Sequence, residues 1–149
     1  MIVEVQVTIK ASGAAIWNAI TDIENASEII SGIEKIEIIE KPATGLIGLK
    51  WRETRMYFRK PATVEKRITD AVDNEFYKTR AEDSGFVFLS TIRISEDSGG
   101  IKLISSHETI PQGIATKIKS LPMVFFKGML KKALLQDLND YKSAVEGEQ

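Results

Sequence analysis

The stretch MVFFKGMLKKALLQDLNDYKSAV, residues 123–145, decides the fold. Phe126, Leu130, Leu134, Leu138, Tyr141 and Val145 recur at intervals of three and four, which puts them on one face of a helix. Lys127, Lys131, Lys132 and Lys142 fall mostly on the other side, as on a solvated face. About 23 residues at about 1.5 Å each make a rod of roughly 35 Å. A rod with so broad an apolar stripe needs a large apolar surface to lie on.

The residues before it predict that surface. Residues 2–10 alternate Val3, Val5, Val7 and Ile9 with polar partners, the pattern of a half-buried strand. Ser12 is placed to cap a helix over Ala14–Ile23, and a second short helix follows over Ala26–Ser31, with Gly32 as its C-cap. Further strands are expected at residues 33–40, 46–58, 62–70, 76–82, 86–95 and 101–110. Turns at Lys41–Gly45, Asp73–Asn74, Asp83–Gly85 and Glu96–Gly100 separate most of them. A short helical turn is expected at 114–120, with Ser120 capping and Pro122 in the first turn of the long helix. Successive strands joined by short turns predict an antiparallel meander. The reading is an α+β fold, a curved seven-stranded sheet around the long helix, with residues 1–149 as one domain.

Composition excludes several classes of function. Lys and Arg number 20 against 21 Asp and Glu, with no block of either sign, so no nucleic-acid partner is expected. The absence of cysteine removes disulfides, thiolate metal sites and cysteine nucleophiles. MIVEVQVTIK lacks the basic start and apolar run of a secretory signal, and no run nears the roughly 18 to 20 apolar residues that span a bilayer. A cytoplasmic protein without stable membrane insertion is expected. There is no GxGxxG, phosphate loop, GxSxG or HExxH motif, so no cofactor is expected. One histidine builds no histidine-rich zinc site, so no metal is expected either. Nothing in the sequence fixes an oligomeric state.

The candidates for chemistry are few. His107, in phase with Ile101, Leu103 and Ser105, is either a proton-transfer group facing inward or a hydrogen-bonded histidine of the core or rim. Glu53 and Arg55 share the phase of Trp51 and Tyr57. They would pair with each other or orient a ligand if inward, and would be solvated if the strand bulges. Asp137 falls within the apolar stripe and would meet Arg55 or Arg80, or lie at the stripe's wet edge. Phe125, Phe126, Met129 and Leu130 make the front of the long helix bulky. With Trp51, Tyr57, Tyr77, Phe88, Ile92 and His107 they are the candidate ligand-binding residues, and equally good material for packed core. The front turns, Met123 to Leu130, are thus expected to touch a ligand, and Leu134 to Val145 to act as structural clamp.

VTIKASGAAIWNAITDIENASEIISGIEKIEII at 7–39, the hairpin at Ser98–Gly100 and GMLKKALLQDLNDYK at 128–142 together resemble the START-like or SRPBCC superfamily. This helix-grip group includes the birch pollen allergen and polyketide cyclase/dehydrase families. The resemblance covers nearly the whole chain. It implies a curved sheet gripping the long helix, with a cavity that holds apolar ligands in many members. The first functional reading is therefore binding or carriage of a small hydrophobic molecule that is lipid-, isoprenoid- or polyketide-like. The second is a cyclase, dehydratase or aromatase using His107 with Glu53, Arg55 or Tyr57 for acid–base steps. A third is a protein-interaction module that uses the outer face of the sheet over a collapsed core.

Overall fold

The structure, a computed structural model, describes residues 1–57, 59–113 and 123–147, without the side chains of 123–125. The helical turn expected at 114–120, Ser120, Pro122 and the side chain of Phe125 lie outside the described residues. The elements run β1 (Ile2–Ile9), α1 (Gly13–Thr21), a 3-10 turn (Ile23–Asn25), α2 (Ala26–Ile29) and β2 (Ile33–Glu40). Then come β3 (Lys50–Tyr57), β4 (Lys60–Val72), β5 (Phe76–Asp83), β6 (Phe86–Asp97), β7 (Gly100–Pro111) and the long helix α3 (Met123–Gly147).

The seven strands form one antiparallel sheet in the order β1-β7-β6-β5-β4-β3-β2. Consecutive strands from β2 to β7 pair as hairpins, and β1 closes against β7 through pairs such as Val3–His107 and Val5–Ser105. Register shifts in β2, and between Ile68 and Asp70 of β4, insert extra residues. Bulges of this kind bend a strand, and here they help the sheet wrap around α3.

Ser12 caps α1 as expected, its Oγ accepting from Ala15 N at 3.1 Å. Two local expectations fail for identifiable reasons. Residues 46–49 precede β3 instead of starting it, because Gly45 and Gly48 adopt φ of +73° and +97° and form a turn. Gly32 is not a C-cap. Helix α2 ends earlier, at Ile29, and Gly32 lies where an added Cβ would meet Arg55 Nη1 at 3.0 Å.

The core lies between the concave face and the helices. Ile16 and Ile20 of α1, Ile68 and Leu103 of the sheet, and Leu138 of α3 are fully buried in it. The second half of α3 is fastened to β1 and α2. Lys142 Nζ donates to Thr8 O at 2.6 Å, Lys10 N donates to Glu146 at 2.8 Å, and Asp140 accepts from Ser31 N and Oγ.

Candidate functional site

A cavity of about 180 Å³ lies between the concave face of the sheet and the middle of α3. Strand alternation decides which side chains reach it. On β3, Trp51, Glu53, Arg55 and Tyr57 are two residues apart and all line it, with Tyr57 half exposed at the mouth. Tyr77 of β5, Ile92 of β6, His107 of β7 and Leu130 of α3 also line it. Ile30, Ile33 and Ile36 form an apolar wall at the β2 side.

Four charged groups in the lining bond to one another. Glu53 Oε2 accepts from Arg55 Nε at 2.7 Å and from Lys66 Nζ at 2.9 Å. Arg55 turns its remaining nitrogens to Asp137 in a two-pronged pair, Nη1–Oδ1 3.1 Å and Nη2–Oδ2 2.8 Å. Burial would raise the Glu53 carboxyl, but Lys66 and Arg55 outweigh it and hold the pKa at about 2. Burial would likewise lower Arg55, but the carboxylates of Asp137 and Glu53 push it further up. Glu53 stays ionised and Arg55 protonated across the physiological range, so neither is free to exchange a proton.

His107 is different. Its Nδ1 shares a hydrogen bond of 2.9 Å with Ser90 Oγ, its partner across β6 and β7. Among the described residues its Nε2 has no hydrogen-bond partner. Burial, helped by the charge of Lys66, lowers its pKa to about 4, so the ring is neutral at physiological pH. Tyr141 also lines the cavity, with its phenol pushed up, first by burial and then by Asp137.

Three candidates stand elsewhere. Phe88 lies outside the lining and packs its ring on His107, with centroids 5.7 Å apart. Phe126 also lies outside it. Met129 is 50% exposed, because it sits about 100° round the helix from Leu130 and falls off the inward face. The division expected along α3 therefore shifts. Ala133, Leu134, Asp137, Leu138 and Tyr141 line the cavity too, so among the described residues its helix wall runs from Leu130 to Tyr141. The alternative partner for Asp137, Arg80, alternates to the outer face and pairs with Glu82 at 3.0 Å.

Sequence reasoning passed over Lys66, Thr79, Ser90, Ser105 and Tyr141 as lining residues. Phase was the available signal. Lys66 lies two residues before buried Ile68, and Ser90 lies midway between Phe88 and Ile92. Among the described residues there is no cluster of side chains suited to a metal ion, and no helix is long and apolar enough to cross a membrane.

Residues 1–146 match the sequence profile of a family described as polyketide cyclase / dehydrase and lipid transport. A START superfamily protein from Mycobacterium smegmatis has a similar structure, with TM-score 0.82, 14% identity, and coverage of 99% of this chain and 99% of that one. The Zhui aromatase/cyclase from Streptomyces sp. R1128 superposes with TM-score 0.79 at 18% identity, over 98% of this chain and 93% of that one. Ara h 8.0201 does so with TM-score 0.74 at 18% identity, over 99% and 98%. At such identities these likenesses show the fold alone. No curated protein sequence matches the chain.

Proposed function

Because the chain belongs to the polyketide cyclase / dehydrase and lipid transport family, we propose that it binds or carries a small hydrophobic ligand, lipid-, isoprenoid- or polyketide-like, in the cavity under α3. The ligand would touch Trp51, Tyr77, Ile92, His107 and Leu130, with Tyr57 at the mouth. We take residues 1–149 as one domain for this purpose, since the sheet and α3 share one core. The observation that carries the reading is the pairing of every charged group in the lining among the described residues. Glu53, Arg55, Lys66 and Asp137 bond to one another, which leaves an apolar wall and neutral polar groups to meet a ligand.

Native mass spectrometry after gentle purification tests the proposal. A copurified small molecule, or saturable binding of an apolar dye, is the expected result. Neither appearing would end the carrier reading.

A second reading, a cyclase or dehydratase, is favoured by one observation: among the described residues His107 Nε2 has no hydrogen-bond partner, while Nδ1 is held by Ser90. Such a ring can take and return a proton, although a pKa of about 4 makes it a weak base. The Zhui protein is an aromatase/cyclase of the same fold. A substrate screen with wild type and His107→Ala separates the readings, because turnover unchanged by the substitution removes His107 from any mechanism.

A further inference from the structure

Among the described residues, the charges in the lining cancel, two carboxylates against two cations, each bonded within the set. What remains is neutral. Among the described residues, the Thr79 and Ser105 hydroxyls, His107 Nε2 and the Tyr141 phenol have no hydrogen-bond partner, and all four residues line the cavity. Three polar side chains form a row, since Thr79 is the cross-strand partner of Ser90, and Ser90 of His107. Adjacent strands lie about 4.8 Å apart, so the row extends roughly 10 Å across β5, β6 and β7. The wall at the other end of the sheet is hydrocarbon, from Ile30, Ile33 and Ile36.

Resting on the reading of the cavity as a ligand site, we infer that the ligand is a neutral, oxygen-bearing hydrocarbon such as a hydroxylated ring. Its oxygen lies against the Thr79–Ser90–His107 row and its apolar body toward Ile30, Ile33 and Ile36. An anionic ligand such as a fatty acid is disfavoured. Its carboxylate would bring a fifth charge into a lining whose four described charges already balance, leaving one negative charge uncompensated away from bulk water. A hydroxyl brings no such charge. It both donates and accepts, so it suits either tautomer of His107 and either orientation of the neighbouring hydroxyls. Its cost of leaving water is offset by those bonds. Burial keeps His107 and Tyr141 uncharged near pH 7, which leaves the balance of charge intact.

Three probes with one ring system test this at pH 7: naphthalene, 2-naphthol and 2-naphthoate. The phenol is neutral there and the carboxylate charged, from reference pKa values of about 10 and about 4. Wild type should bind 2-naphthol roughly three- to tenfold more tightly than naphthalene, the worth of about one net hydrogen bond. It should bind 2-naphthoate at least about tenfold more weakly than 2-naphthol. The combined Thr79→Val and Ser90→Ala variant should lose the preference for 2-naphthol and keep its affinity for naphthalene. Retained naphthalene binding shows that the variant is folded, and Thr79→Val alone, nearly isosteric, should lose part of the preference. If 2-naphthoate binds best, or if 2-naphthol and naphthalene bind equally to wild type, the inference is overturned while the ligand-site reading stands. If none of the three binds, both fall.

Discussion

Arg55 on β3 and Asp137 on α3, 82 residues apart in the chain, meet through two hydrogen bonds of 3.1 and 2.8 Å. The pair joins the sheet to the long helix beside the cavity, with Arg55 also bonded to Glu53. Removing one partner strands a mostly buried charge, so Arg55→Ala and Asp137→Ala should each cost about 3 kcal/mol. The double variant should cost less than the sum, with a coupling energy of about 1 to 3 kcal/mol. Urea unfolding of the four proteins measures it, and strictly additive losses would show that the pair contributes nothing as a pair.

Gly32 leaves the space that the Arg55 guanidinium occupies. A Cβ there would stand 3.0 Å from Nη1, and Arg55 cannot easily retreat because two carboxylates hold it. Gly32→Ala should therefore destabilise by about 1 to 2 kcal/mol. The loss should shrink in an Asp137→Ala background, where the guanidinium can swing away. Equal losses in both backgrounds would place the strain elsewhere.

Two groups make stability fall with acid in successive windows. His107 ordinarily titrates at 6.5 but at about 4 in the fold. Between those values the unfolded chain binds the extra proton, so stability is complete above 6.5 and is lost as pH falls toward 4. Glu53 titrates at about 2 instead of 4.5, so its contribution holds above 4.5 and drains as pH falls toward 2. Unfolding free energies from pH 7 to 4 should decline with a limiting slope of about 1.4 kcal/mol per pH unit from this group, and His107→Phe should flatten that stretch. A variant that keeps the full slope would rule His107 out as its source.

The inward face of α3 can be tested against its outer side. Leu138 is fully buried, and Leu138→Ala should cost about 2 to 5 kcal/mol. Met129 is half exposed, so Met129→Ala should stay within about 0.5 kcal/mol of wild type. Thermal melts decide it. A large loss at Met129 would mean that the helix face is misassigned.

Thr109 Oγ1 is buried without a hydrogen-bond partner among the described residues. Thr109→Val keeps the shape and removes an unsatisfied hydroxyl. It should stabilise by about 1 kcal/mol, and a rise in melting temperature is the readout.

Much of this was legible in the sequence, for physical reasons that differ by element. The period-two runs of β1 and β2 and the stripe of α3 located those elements, because each buries one face and its residues must alternate accordingly. The start of β3 was misread because Leu46 and Ile47 are apolar, and period cannot reveal that the flanking glycines turn the chain. Arg55 and Asp137 were each identifiable as charges on an inward face. Lys66 shares the phase of Val64 and Ile68, a pattern that marks a strand but does not by itself mark an inward-facing charge. Met129 was misjudged by composition, since its bulk suggested a pocket while its angle on the helix turned it outward.

Gly32, Glu53, Arg55, Lys66 and Asp137 come from the turn before β2, from β3, β4 and α3, yet they make one interlocked unit. A loss at Asp137 leaves Arg55 over-supplied with space and short of charge, and a side chain at Gly32 has room only if the Arg55 guanidinium moves away or is shortened. In descent, then, these positions are tied, and change at one calls for change at the others. A sequence that keeps all five should keep this cavity wall. Sequences that share only the fold are free to have replaced the set together. Keeping these five separated residues together is therefore a sharper sign of a shared cavity wall than overall identity.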